Sequence, residues 1–490
     1  MKPNFLSWLF AVLAGIASLE YVKHPFTNDV AIFQGVAFVA DKYYSFPQNI
    51  DLVWEAKPLG NRLLNYLILK AAENIAPFQE QVAFAIAAKF IVLLLVILLA
   101  WYFATIIGGE YTFWLVFFSF ITCLNFCVMQ AEYYAVMLSL LTIALIVSQN
   151  RYAQCLAGAV IFFIAMIKGI TLFLFVPVLC GAYLLQKSKQ SAVVNVFCGF
   201  CAMGVLVVIA QLTIWKHMLP DLLLAPLITG VGRWPVTDTI QIFILQSFMV
   251  LYYIPVLLPA VFGAILLLVS KTFGRNEKVA FVLMWLTPAV MVLIHSENFA
   301  YQFFIFVIPV VVTLVICLRK LEGATLSSPK KARIASSIAT VVVLWMFFAL
   351  MVLNSWNGIM PGAEENVYRL QQKNAAEINR LYDLPNQSSI LYLDAGAGPY
   401  YFMANSTSRY LCPLPLQRSS PDWNLRGNYA VEQIYSDALA YEGEYIIGDG
   451  AFGYPDWLHL QYDDRKELRE KLENEYVVVW NQSWIIYKHI

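Results

Sequence analysis

Charge is scarce in this sequence. Asp, Glu, Lys and Arg together make up 13% of its 490 residues, about half the usual share of roughly 25% in a soluble domain. What charge there is cancels, 32 acids against 32 bases, so there is no electrostatic argument for nucleic acid and no nucleic-acid partner is expected. Histidine is rarer still, with five residues and no pair spaced i, i+4 to seat a metal on a helix. Of eight cysteines, only Cys412 lies in a polar region; Cys123, Cys127, Cys155, Cys180, Cys198, Cys201 and Cys317 sit in or beside apolar segments. That distribution implies no disulfide framework. Cys198 and Cys201 form a CxxC inside a hydrophobic run without companion ligands, which reads as packing rather than redox or zinc chemistry. Internal repeats and low-complexity linkers are absent too.

What fills the chain instead is hydrocarbon. Hydrophobic residues make up 60% of it, and several uncharged runs exceed the length of about 20 residues that crosses a bilayer as a helix. This is the composition of a polytopic α-helical membrane protein. The N-terminal "MKPNFLSWLFAVLAGIASLEYV" has one lysine before its apolar run and no small-x-small cleavage site, so a retained first span is expected. Eleven spans are expected in all, near 4–22, 82–107, 111–127, 133–149, 153–167, 169–186, 191–214, 243–270, 278–295, 299–318 and 335–354.

The loops after the even-numbered spans carry the cations: Arg151; Lys187 and Lys189; Lys271, Arg275 and Lys278; then Arg319, Lys320, Lys330, Lys331 and Arg333. That bias marks their side as cytoplasmic, and Lys2 places the N-terminus there as well. The loop "GGEY" after the second span has no cation to add. An odd number of spans then puts the first loop (23–81), the loop 215–242 and everything after about residue 355 on the outer face of the cell membrane. Residues 1–354 make a transmembrane domain on this reading and 355–490 an extracytoplasmic domain.

The tail reads as α/β. "SSILYLDAG" and "GEYIIGDG" are short apolar runs ending in turns, "DDRKELREKLENE" is a charged helix, and "YVVVWNQSWIIYKHI" has the look of a terminal hairpin. "GPYYFMANSTSRYLCPLPLQR" suggests a helix leading into a strand. Sequons at Asn386, Asn405 and Asn481 fall in this region, and such short matches say little.

Against this background one stretch of the first outer loop stands out: "DLVWEAKPLGNR", residues 51–62, packs two acids, a lysine and an arginine around a Lys-Pro pair. It lies between two helical patterns, "VAIFQGVAFVA" and "RLLNYLILKAA", both amphipathic enough to lie in the membrane interface. Asp29 immediately precedes the first; Asp51, Glu55, Lys57 and Arg62 precede or begin the second. Taken singly, these charges solvate a loop, with Asn28 and Asp29 as helix caps. Taken together, they set an acid and a cation cluster at the bilayer surface, which suits a negatively charged, lipid-linked substrate.

Further along, Lys168 sits between two apolar runs, where an unpaired charge is expensive; the plainer reading is a lysine snorkelling at a span end. Lys89 reads as snorkelling. Glu132 at the start of the fourth span suits either a site or the helix dipole. His295 and Glu297 line a site or cap helices. His24 with nearby acids leaves a divalent metal open, and no other cofactor is called for. Arg233 in "GVGRWP" reads as loop packing.

An acid soon after the first span, an interfacial helix, an acid-x-Lys-Pro stretch, many spans and an outer C-terminal α/β domain, in that order, resemble the GT-C glycosyltransferases. Within them the chain is most similar to the branch of protein O-mannosyltransferases and lipid A aminoarabinose transferases. "MQAEYYAVMLSLLTIAL" places Glu132 where these enzymes often carry an acid, "IAMIKGITLFL" resembles their Lys-Gly, and "HSENFAYQFFIFVIP" resembles the late His or Tyr segment that leads to a proline. The family's usual Lys-Pro-Pro is here Lys57-Pro58-Leu59-Gly60, a departure that leaves the subfamily open.

The resemblance implies an inverting transferase that takes a sugar from a polyprenyl-phosphate donor and passes it to a glycan, lipid or protein acceptor at the outer face. It implies Asp29 as the base that deprotonates the acceptor hydroxyl, and Lys57 and Arg62 as cations for the leaving lipid phosphate. Glu55, Glu132, Lys168, His295, Glu297 and Tyr301 are the further substrate-binding candidates. A secondary transporter would also carry many spans and buried charges, but with a repeat between halves and charge at midplane. A non-catalytic assembly or sensor protein of the envelope is the third reading.

Overall fold

The computed structural model describes residues 5–23, 26, 28–44, 59–121, 128–186, 192–215, 257–269, 273–294, 300–325, 334, 337–348, 363–387, 390–394, 397–408, 411, 429–449 and 466–490. Helix dominates. In chain order come α1 (Phe5–Lys23), α2 (Asn28–Tyr44), α3 (Leu59–Glu73), α4 (Gln81–Ile107), α5 (Glu110–Ile121), α6 (Ala131–Val147), α7 (Arg151–Ile167), α8 (Phe175–Leu185) and α9 (Val193–Thr213). After them come α10 (Leu257–Val269), α11 (Arg275–Ile294), α12 (Val307–Thr325) and α13 (Ser337–Phe348). The C-terminal part holds α14 (Ala363–Tyr382), β1 (Leu391–Tyr392), α15 (Gly398–Phe402), α16 (Tyr429–Ala440), β2 (Tyr445–Asp449), α17 (Lys466–Glu475), β3 (Tyr476–Asn481) and β4 (Trp484–His489). Among the described residues, three stretches are long and apolar enough to cross a membrane by length and composition: Gln81–Ile107, Val193–Thr213 and Gln302–Lys320. Shorter apolar helices lie in other expected spans, Ala131–Val147 and Arg151–Ile167 among them.

The chain divides into two compact units. The first is Met1–His24, Ala85–Val207 and Pro235–Met360; the second is Pro25–Phe84, Val208–Trp234 and Pro361–Ile490.

In the first unit, the turn "GGEY" is made by Gly108 (φ 97°) and Gly109 (φ 99°), a left-handed pair that side-chain-bearing residues rarely adopt, so α4 reverses into α5 without a charged loop. Asn150 caps α7, its side chain accepting from the amides of Tyr152 and Ala153. Hydroxyls within the apolar helices turn back on their own backbones: Ser119, Ser139 and Thr142 each donate to the carbonyl four residues earlier, at 2.7 Å. That satisfies them where no water is at hand. Arg319, in α12, ties helix ends together, donating to Leu185 O at 2.9 Å and also to Ile107 O, the last residues of α8 and α4. Lys320 beside it lies 4.3 Å from the centre of the Phe273 ring.

The CxxC of α9 turns out to pack through its glycine rather than its cysteines. A Cβ on Gly199 would fall 1.7 Å from the Cys155 carbonyl oxygen, and one on Gly158 would fall 1.9 Å from that of Val196. Glycines at both positions let the α7 and α9 backbones touch, as small residues do between membrane helices, and Asn195 Nδ2 donates to Gln154 Oε1 across the same crossing (2.7 Å). Cys198 and Cys201 are exposed, as are Val194, Phe197, Val205 and Leu206 around them. Such a surface suits lipid better than water.

In the second unit a four-stranded sheet has the order β1-β2-β4-β3, with β1 parallel to β2 and the other pairs antiparallel. The terminal hairpin β3–β4 carries a bulge between Val478 and Trp480. Trp484 is fully buried under the edges of Tyr401 and Phe402 and donates its indole N–H to Gln371 O at 3.1 Å. Asp394 accepts from the amide of Gly398 (2.7 Å) to start α15.

Against α15 lies α2. A Cβ on Gly35 would sit 2.4 Å from the Tyr400 amide nitrogen, so only glycine allows this approach. Phe38 stacks on Phe78 at 4.1 Å between ring centres, with Tyr400 edge-on to Phe78. Residues 30–40 of α2 are buried without a break, where the sequence pattern suggested a helix with one open face. The reason is visible in "VAIFQGVAFVA": its only polar side chain is Gln34, and a helix apolar all round is buried all round. α3 is the amphipathic one, burying Asn61, Arg62, Asn65 and Leu69 and exposing Leu67 and Lys70.

Candidate functional site

The first turn of α6 begins after the extended Gln130 and presents Glu132. The partner that meets it is 36 residues on. α7 ends at Ile167; Lys168 is extended (φ −157°, ψ 125°), and a short 3-10 helix, Gly169–Leu174, then leads into α8. The hydroxyl of Thr171 holds this corner by donating to Ile164 O (2.6 Å) and Lys168 O (2.5 Å). Lys168 is thereby fixed at the corner between α7 and the 3-10 helix, and its Nζ donates to Glu132 Oε1 at 2.5 Å. The side chains are 10% and 6% exposed. Beside the pair runs a narrow cleft lined by Glu132, Ile170, Thr171, Met291, Val292, Gln302 and Ile305, with room for about one water molecule. Also at this end of α6, Tyr133 OH meets Tyr21 OH at 3.2 Å. A buried, charge-assisted pair beside an apolar cleft can hold an anion through its lysine or a hydroxyl through its carboxylate.

Arg62 belongs to the second unit. It lies on the buried face of α3, 4% exposed, next to an amide network between α2 and α3. Gln34 Nε2 donates to Asn65 Oδ1 (2.8 Å) and Asn65 Nδ2 donates to Asn61 O (2.9 Å), while Gln34 Oε1 is buried and has no hydrogen-bond partner among the described residues. At the exposed rim of the same helix pair, Lys70 meets Asp41 at 2.8 Å and Glu73 at 3.3 Å. The Asp41 carboxylate holds the Lys70 ammonium above the usual lysine range.

Asp29 is the second residue of α2, with its side chain outside the described residues, and Tyr301 stands likewise in a 3-10 helix, Ala300–Phe306. Glu55, Lys57, His295, Glu297, His24 and Arg233 lie outside the described residues altogether. Lys89, expected to snorkel, is buried by protein at 4% exposed, on the face of α4 that also buries Ala85, Ala88 and Val92. Among the described residues no three His, Cys, Asp or Glu side chains gather to hold a metal ion. Sequence reasoning brought out Glu132 and Lys168 one at a time but missed Thr171 and Gln302. A lone amide in the apolar run "AYQFFIFVIP" was the available signal for the second.

No family model and no curated protein matches this chain. Among solved structures it is similar to the crystal structure of the Archaeoglobus fulgidus oligosaccharyltransferase in the apo form, at 11% identity and a TM-score of 0.46, over 100% of this chain and 75% of that one. It is similar also to the Archaeoglobus fulgidus oligosaccharyltransferase in complex with Zn and sulfate, at 12% identity and a TM-score of 0.44, over 97% of this chain and 73% of that one. Overlaps of this size at this identity decide neither fold nor activity.

Proposed function

We propose that this chain is a GT-C-like membrane glycosyltransferase with eleven spans, a cytoplasmic N-terminus and an extracytoplasmic C-terminal α/β domain. It moves a sugar, with inversion, from a polyprenyl-phosphate donor to a glycan, lipid or protein acceptor at the outer face of the cell membrane. The observation that carries the reading is the Glu132–Lys168 pair, an acid and a base kept nearly buried in contact within an apolar unit, where such groups are costly to keep.

Helix ends support the topology. Arg319 joins the ends of α4 and α8 from α12, which are the second, sixth and tenth of the expected spans and share the cytoplasmic side on this reading. Glu132, Lys168, Tyr21 and Tyr133 fall at the opposite ends, on the outer side. α6 and α7 each have 17 residues, about 25 Å at 1.5 Å per residue, against a hydrocarbon core of about 30 Å. On that geometry the pair lies near the outer boundary of the hydrocarbon core, below the headgroup layer that carries a lipid phosphate and within reach of a lysine stem extending toward it.

In the reaction the acceptor hydroxyl attacks the anomeric carbon, the bond from that carbon to the phosphate oxygen breaks, and the lipid phosphate leaves with the electron pair. Asp29 takes the hydroxyl proton. Lys57 and Arg62 stabilise the phosphate as its charge develops; Glu55, Glu132, Lys168, His295, Glu297 and Tyr301 supply further contacts to donor and acceptor. Mass analysis of glycolipids and glycoproteins after deletion of the gene tests the proposal. A missing sugar, restored by the wild-type gene, supports it; unchanged glycans together with an altered solute flux would favour a transporter. A reporter fused after Ile490 should be active only outside the cytoplasm.

A further inference from the structure

Lys168 faces a carboxylate at 2.5 Å, both side chains nearly closed off, beside a cleft with room for about one water molecule. A lysine in that state is not ready to receive an anion. Its backbone is held, because the Thr171 hydroxyl shares its proton between Ile164 O in the last turn of α7 and Lys168 O at the corner. Its side chain can give way, since a lysine ammonium rides on a flexible four-carbon stem and its three donors have no fixed direction. Glu132, in turn, sits in the first turn of α6, where the helix dipole favours its charge whether or not the lysine stays. The cleft walls are Ile170, Met291, Val292 and Ile305, with Gln302 and Thr171 as the polar groups beside Glu132, a lining that suits an aliphatic chain with a compact polar head.

We propose that the Glu132–Lys168 pair is a ligand-exchange latch. At rest the Lys168 ammonium is held on Glu132, whose side chain lines the cleft. The phosphate head of a polyprenyl monophosphate replaces Glu132 as the partner of Lys168, the cleft opens along its aliphatic wall, and the released carboxylate turns to hydroxyl groups of the substrate. The latch rests on the transferase reading given above and adds to it a closed state that competes with the lipid. Apparent affinity is then the intrinsic affinity reduced by the fraction of molecules that are open.

The experiment measures binding of polyprenyl monophosphate to the full-length protein in lipid nanodiscs, with inorganic phosphate and unphosphorylated polyprenol as separate probes. Glu132→Gln keeps size and hydrogen bonding but competes less for the ammonium, so it should bind the lipid phosphate at least about tenfold more tightly than wild type. Lys168→Gln should bind it at least about tenfold more weakly. In the Lys168→Gln background, Glu132→Gln should change nothing, because polyprenyl monophosphate has no sugar hydroxyls for the carboxylate to hold and toward this probe the carboxylate acts through the lysine.

Equal tightening in both backgrounds would show simple charge repulsion and overturn the latch, as would no tightening in either. Inorganic phosphate binding as well as the lipid would overturn the assignment to a polyprenyl chain. A wild-type protein that binds no polyprenyl monophosphate would overturn both latch and transferase reading, whereas binding without the coupling overturns the latch alone. Should Glu132→Gln fail to fold, wild-type kinetics decide: opening before binding predicts an observed rate that saturates with lipid concentration, and a rate that rises without limit contradicts it.

Discussion

Two lysine–carboxylate pairs in this molecule share their chemistry and differ in their surroundings. Lys70 meets Asp41 at 2.8 Å with side chains 45% and 24% exposed; Lys168 meets Glu132 at 2.5 Å with side chains 10% and 6% exposed. Water screens the first pair, which joins α2 to α3 at the rim of the second unit and is worth at most about 1 kcal/mol. The second is nearly closed off from solvent. Removing either of its charges leaves the other with a large desolvation cost and without its closest counter-charge. In a chain with so little charge, location rather than number tells which charges matter.

The sharpest break of this comparison is to remove one partner from each pair. Lys168→Met leaves Glu132 buried and uncompensated and should lower the stability of the detergent-solubilised protein by about 3–5 kcal/mol. The double variant Glu132→Gln, Lys168→Met should recover most of that loss, and thermal unfolding of all three proteins checks it. Gly35→Ala tests packing without charge in the second unit. The added methyl overlaps the Tyr400 amide, and the expected loss is about 1–3 kcal/mol.

Arg62→Gln separates binding from folding at another buried cation. If Arg62 holds the donor phosphate, turnover should fall more than about tenfold, since a charge-assisted hydrogen bond is worth about 1.5–3 kcal/mol. Donor-dependent transfer by purified protein is the measurement, and a wild-type rate would return Arg62 to a packing role beside Asn61 and Asn65. The smallest effect belongs to the exposed pair: Lys70→Ala should cost less than about 1 kcal/mol, and the difference should shrink as salt is raised.

Much of the helical layout was legible, because long uncharged runs have few alternatives to helix. The terminal hairpin and the charged α17 were legible too, from alternation and from Lys/Arg and Glu spaced i, i+4. Helix α14 was not. It buries Gln371 and Asn374 alongside Ala375 and Ile378 while leaving Leu370 and Leu381 exposed, so its buried face carries amides where a hydrophobic pattern looks for aliphatics. The grouping of residues 25–84 with the C-terminal region was equally invisible, since it rests on contacts more than 300 residues apart in sequence, Gly35, Phe78 and Gln81 with Tyr400 and Tyr43 with Met403.

At the site, Glu132 and Lys168 each looked unusual from their settings, but their pairing depends on a chain corner 36 residues away, and no local spacing rule reaches that far. Thr171 was hidden because its role is to bond backbone carbonyls, which no sequence pattern shows.

The central claim is sugar transfer with Asp29 as the base. Asp29→Asn keeps the size of the side chain and caps a helix about as well as Asp, so a residue that merely starts α2 would tolerate the change. General base catalysis contributes typically about 10² to 10⁴-fold. The decisive measurement is the rate of transfer from a polyprenyl-phosphate sugar by purified Asp29→Asn protein, with donor binding measured alongside. A loss of that size with binding retained is the predicted result, and turnover at the wild-type rate would contradict it.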